Sequence, residues 1–170
     1  MTLVGIKKKF IIFIINNFLS VPKYFVIKEK LMRCAGYKIG KNTKIVGPLK
    51  ITSNLQVGEN TWIGANFTCH GNGSVIIGNN CDIAPDVTFL TGGHKIGLKD
   101  RRAGKGESYK IIVEDGVWIG ARATILKNII IESMSVIAAC SCVNNDVLKN
   151  TLVAGVPAKI RKKIGVLDEK

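Results

Sequence analysis

The chain has 170 residues, of which 46% are hydrophobic and 22% charged, enough to bury a core and too apolar for a disordered chain. No apolar run approaches the ~20 residues of a membrane-spanning helix. Lys and Arg outnumber Asp and Glu 25 to 12, and the surplus sits at the ends: +9 over residues 1–44, zero over 45–148 and +4 over 149–170. Anionic partners are therefore expected at the termini, as phosphates, a membrane surface or nucleic acid. Aromatics are only 6%, whereas Ile (24) and Val (15) dominate, which favours sheet over a helical bundle. Five cysteines (Cys34, Cys69, Cys81, Cys140, Cys142) form no C-x-x-C pair and read as small buried hydrophobes of a reducing compartment.

In chain order, residues 1–36 come first as a basic amphipathic segment. Bases alternate with Phe10–Ile15, Phe18, Leu19, Tyr24, Phe25, Ile27, Leu31 and Met32, and Pro22 divides the segment into two short helices. Its apolar run is too short and too interrupted for a signal peptide, so it is read as retained. Two roles fit and can coexist: a cap over the open end of a repeat or packing within a trimer, and contact of residues 6–35 with an anionic membrane surface.

A strict repeat follows. Ile39, Ile45, Ile51, Val57 and Ile63 lie six residues apart; Cys69 keeps the phase, and after a two-residue insertion Ile77, Ile83 and Phe89 resume it. Val113, Ile119, Ile125, Ile131, Ile137 and Val143 carry the same period over a second run. Six residues fit neither the 3.6 of a helix nor the two of an alternating strand. They fit short strands joined by tight corners, each sending one aliphatic inward, with Gly and Asn at the turns. The reading is a solenoid, with about three coils over 37–90 and two over 111–146.

Residues 91–110 interrupt it as a long charged loop, T-G-G-H-K-I-G-L-K-D-R-R-A-G-K-G-E-S-Y-K. Such excursions are usually functional or disordered. His94 sits at its base, and an imidazole there is a candidate general base. The only other histidine, His70, lies at the two-residue insertion and reads as a corner residue.

The period, together with T-G-G-H at 91–94, V-W-I-G-A at 117–121 and A-G-V-P-A-K at 154–159, resembles the hexapeptide-repeat acyltransferases, closest to the maltose, galactoside and capsular-polysaccharide O-acetyltransferases. The resemblance implies a mainly β fold: a left-handed parallel β-helix over 37–157, with the extended loop 91–110 and a basic C-terminal tail over 158–170. It also implies a homotrimer with sites between subunits, acetyl-CoA as acyl donor, and a sugar hydroxyl as acceptor, used in surface polysaccharide biosynthesis. His94 would be the base. Trp118, Ala121, Ala139, Asn144, Asn145, Lys159 and Lys162 would line the CoA groove, and Asn66, Arg101 and Arg102 would meet the acceptor. For Trp118 an ordinary core position, for Asn66 a β-helix corner, and for the two arginines a solvated loop tip stand as alternatives. Departures from the family pattern are Glu132 and Cys140 at usual glycines, Asn128 in a common P-G-V turn, and Asn145 at a frequent basic contact.

Four other readings compete. An acyl-cysteine route through Cys69, Cys140 or Cys142 has no neighbouring base in sequence. A zinc hydratase of the γ-carbonic anhydrase kind needs three histidines, and the chain has two, so no metal is expected. A non-enzymatic basic solenoid would bind nucleic acid, but its bases are terminal, with no aromatics interleaved along the coils. An acetyltransferase acting on an antibiotic or on serine remains the enzymatic alternative. The expected location is cytoplasmic, or peripheral at the inner membrane surface.

Overall fold

The computed structural model describes residues 3–165. The chain opens with two helices, α1 (Leu3–Phe18) and α2 (Phe25–Cys34), separated at Pro22 as expected. The first coil is β1 (Lys38–Ile39), β2 (Lys44–Ile45) and β3 (Leu49–Ile51). The second is β4 (Asn54–Val57), β5 (Trp62–Ile63) and β6 (Phe67–His70), and the third β7 (Ser74–Ile77), β8 (Asp82–Ile83) and β9 (Thr88–Leu90). A hairpin of β10 (Gly92–Ile96) and β11 (Ala103–Ser108) then leaves the solenoid. The fourth coil is β12 (Lys110–Val113), β13 (Trp118–Ile119) and β14 (Thr124–Leu126); the fifth is β15 (Ile129–Ile131), β16 (Val136–Ile137) and β17 (Cys142–Val143). Val147, bridged to Ile131, begins a sixth coil that β18 (Thr151–Ala154) continues.

Strands stack into three parallel faces: β1-β4-β7-β12-β15, then β2-β5-β8-β13-β16-β18, then β3-β6-β9-β14-β17. The period-six anchors become vertical columns. On the first face Ile39, Val57, Ile77, Val113 and Ile131 are in register, and on the third Ile51, Cys69, Phe89, Ile125 and Val143. All are buried except Ile51, which is half-buried in the terminal coil. Corners place Asn42, Asn60, Asn66, Asn80 and Asp86 at positive φ, a region their short polar side chains tolerate. Arg122, Met134 and Cys140 occupy the same corner position at φ near 60°, so the cysteine standing at a usual glycine keeps the turn. Gly64 shows why the residue after an anchor is small: a Cβ there would lie 2.7 Å from the Ala84 carbonyl carbon of the next coil.

The helices cap the open end. Ile11, Ile15, Met32 and Ala35 are buried in the same core cluster as the first coil. Asn16 locks α1 to β3, its amide donating to the Leu49 carbonyl and its oxygen accepting from the Leu49 N–H, both at 2.8 Å. Lys28 is fully buried, donating to the carbonyls of Leu19, Val21 and Val46 at 3.2, 2.8 and 3.0 Å; burial lowers its pKa to about 8.

Two segments differ from the sequence reading. The loop 91–110 is an ordered antiparallel hairpin, because Gly97 and Gly104 let its strands close where any side chain would collide with facing backbone. The expected C-terminal tail from 158 carries β19 (Lys159–Lys163), antiparallel to β18, because the A-G-V-P turn folds it back to cover the last exposed edge. Residues 166–170 of that tail lie outside the described part.

Candidate active site

The hairpin leaves at the corner after the third face, where β6 and β9 end. Against it lies an open cleft of about 390 Å³, lined by His70, Asn72, Leu90, His94, Glu107 and glycine backbone. His94 is exposed on β10 opposite Gly106, farther along the excursion than its base. Its Nδ1 lies 2.9 Å from the Gly104 carbonyl oxygen. A carbonyl only accepts, so Nδ1 carries a proton, and in the neutral ring Nε2 is then the nitrogen with the lone pair. The hairpin itself thus prepares an imidazole able to take a proton.

His70, at the end of β6, is exposed on the same cleft, 3.4 Å by Nδ1 from the Thr52 hydroxyl. Sequence reasoning left it as a corner; the pairing of β6 with β9, His70 opposite Leu90, carries it beside the hairpin. Glu107 was also missed. Its carboxylate accepts from the Tyr109 hydroxyl at 3.2 Å and lies 4.0 Å from the Lys95 ammonium. The Tyr109 ring occupies the space above Gly93, where a Cβ would strike the phenol. The signal for these residues was the two-residue insertion C-H-G-N-G and the paired glycines on both arms of the excursion.

The other candidates fall into separate places. Arg101 and Arg102 are exposed in the hairpin turn, outside the cleft lining. Asn145 and Lys159 line a second cleft of about 370 Å³ with Asp146 and Ile160, which brings a basic group beside the position where Asn145 lacks one. Asn144 accepts from the Asn145 amide at 2.8 Å. This cleft opens at the same corner as the hairpin, two strand spacings along the axis, or ~10 Å. Lys162 is exposed on β19 opposite Leu152. Trp118 is 55% exposed on the outer side of the second face, between Asp82 and Val136, and is not a core residue. Ala121 and Ala139 stack at the corner after that face, where the Cys140 N–H donates to the Ala121 carbonyl at 2.9 Å. Asn66 occupies the same corner line, at φ 57°, its amide donating to Asp86 at 2.9 Å.

The cysteines give no nucleophile in this cleft. Cys69 points into the core, where burial pushes its thiol up to about 11; Cys140 and Cys142 lie outside the cleft lining.

A sequence model described as a hexapeptide repeat of succinyl-transferase matches residues 55–85 and 110–144. The galactoside O-acetyltransferase of Escherichia coli K12 is 32% identical over 152 residues, 88% of this chain and 75% of that one. A polysialic acid O-acetyltransferase of Escherichia coli O1:K1 is 36% identical over 130 residues, 74% of this chain and 42% of that one. The hexapeptide-repeat acetyltransferase VCA0836 of Vibrio cholerae, solved with acetyl coenzyme A, superposes with a TM-score of 0.83 at 27% identity, covering 95% of this chain and 87% of that one. The parallel solenoid of this chain matches the left-handed β-helix acetyltransferases. The chain belongs to the hexapeptide-repeat acetyltransferases, and the reading of a non-enzymatic basic solenoid falls away.

Proposed function

We propose that this acetyltransferase moves the acetyl group of acetyl-CoA to a sugar hydroxyl, in surface polysaccharide biosynthesis, with His94 as general base. The carrying observation is the bond from His94 Nδ1 to the Gly104 carbonyl, which makes Nε2 the lone-pair nitrogen of the neutral ring, on a side chain lining a cleft open to substrate. In the reaction Nε2 takes the hydroxyl proton as the oxygen attacks the thioester carbonyl. The carbon–sulfur bond then breaks, the acetyl group stays on the sugar oxygen, and the proton passes to the departing thiolate. The cleft of Asn145 and Lys159, ~10 Å along the same corner, suits the phosphate-bearing end of an extended CoA. Galactoside and polysialic acid acceptors among the relatives support a sugar hydroxyl.

The second element of the proposal is a homotrimer. His94 and Asn145 stand at one corner of the solenoid, whereas Ala121, Ala139 and Asn66 stand at another, so a single chain cannot wall one groove with both. A neighbouring copy supplies the missing wall. Sedimentation of the active enzyme as a monomer contradicts this.

Replacing His94 tests the mechanism. His94→Ala lowers turnover ~10²–10⁴-fold while acetyl-CoA binding and the unfolding temperature stay as they are. His70→Ala costs less than tenfold. Near-normal turnover in a folded, CoA-binding His94→Ala protein refutes the assignment, and a larger loss at His70 transfers the role to that residue.

A further inference from the structure

Helix α1 is apolar on two faces, and the solenoid uses only one. Ile11 and Ile15 are buried against the first coil, with Ile12 packed beside them. Away from that contact Ile6, Phe10 and Phe13 follow the i, i+4, i+7 spacing of a single stripe and are 48%, 62% and 55% exposed. Phe18, 71% exposed at the end of the helix, lies off that stripe but sets its ring edge-on to Phe13 with centroids 6.3 Å apart. Large apolar side chains exposed along one stripe mark a surface that something covers. Lys7 follows Ile6 and Lys9 precedes Phe10, so at ~100° per residue they fall on opposite borders of the stripe.

We propose that this face of α1 seats the enzyme on an anionic phospholipid bilayer, the helix lying in the plane of the headgroups. Sixteen residues span ~24 Å, less than the hydrocarbon core, and no described helix is long and apolar enough to cross. An apolar stripe bordered by lysines is the pattern of an interfacial helix: rings enter the acyl boundary and ammonium groups stay among the phosphates. Charge selects lipid over a second copy of the chain. Helix α1 itself carries Lys7, Lys8 and Lys9 and no acid, so two such faces placed together repel, whereas an anionic surface attracts each. The helix needs no reorganisation, because the Asn16–Leu49 clamp and the buried Ile11 and Ile15 fix which side faces outward. The inference is independent of the acceptor and of His94.

The test is flotation of the full-length enzyme with vesicles of phosphatidylglycerol and phosphatidylcholine against vesicles of phosphatidylcholine alone. Binding at least tenfold stronger to the anionic vesicles, weakened severalfold by 0.5 M salt (about a 4 Å screening length), is expected. A triple Ile6→Ser, Phe10→Ser, Phe13→Ser variant loses at least tenfold in binding while its unfolding temperature and acetyl transfer are retained. Should that variant not fold, Phe10→Trp replaces it, with quenching of the added indole by bromine-labelled lipid expected. Equal binding to both vesicle types, no binding, unaltered binding of the triple variant, or an unquenched indole overturns the proposal. So does a triple variant that changes sedimentation instead of flotation, which assigns the face to a contact between copies.

Discussion

The inner columns of the solenoid and the hairpin between its third and fourth coils obey opposite rules. In the columns the positions are aliphatic or aromatic apart from Cys69, and all but the terminal Ile51 have almost no exposure. On β10 and β11 glycines recur, side chains face solvent, and His94 takes its orientation from one backbone carbonyl. A repeat that places equivalent residues in equivalent sites has no place for a unique catalytic group. The candidate catalytic imidazole accordingly sits where the period is broken, and the rigidity of the columns positions it.

The comparison predicts that column variants change stability and hairpin variants change turnover. The largest stability effect is expected at Phe89, fully buried with its ring 5.6 Å from that of Phe67. Phe89→Ala should destabilise by about 3–5 kcal/mol, measured by urea unfolding. A loss below about 1 kcal/mol would mean that the column is not a packed core.

Lys28 sharpens the picture at the capped end. Its carbonyl partners on Leu19 and Val21 also accept the N–H groups of Val21 and Lys23, so Lys28→Met orphans mainly the Val46 carbonyl. The expected loss is about 1–3 kcal/mol at pH 7. Its pH dependence has a definite sign. Between about 8, the folded value, and 10.5, the ordinary one, the unfolded chain holds a proton that the folded chain has shed. Raising pH through that window therefore adds stability to the parent relative to Lys28→Met, and below about 8 the difference levels off. A gap between parent and variant that narrows from pH 8 to 10 contradicts the buried ammonium.

The smallest expected effect is on acetyl-CoA affinity. Neutralising Lys159 and Lys162 together should weaken it severalfold, with the deficit shrinking in salt and stability unchanged within ~0.5 kcal/mol. Unchanged affinity would move the phosphate contact to Arg101 and Arg102.

The fold was legible because a solenoid is a local code. Each anchor from Ile39 to Val143 needs only its own corner and the coil beside it, so a period of six and the Asn corners translate directly into faces and columns. The two helices about Pro22 were legible for the same reason. His94 stood out because it falls where the period fails. Other features depended on contacts between residues far apart in sequence. The approach of His70 to His94 follows from the β6–β9 register, and the Nδ1 proton is set by a carbonyl ten residues away on the opposite hairpin strand. The separation of Ala121 and Asn66 from His94 follows from which corner each occupies, since residues spaced six apart move to the next face while residues one coil apart stack. The repeat, the helical break at Pro22 and the place of the interruption are written in the sequence, because these are properties of neighbouring residues. Only the tertiary structure decided which polar groups share a cleft, that Lys159–Lys163 closes the last sheet edge, and that α1 buries one apolar face and leaves the other bare, because those outcomes rest on how distant segments meet in space.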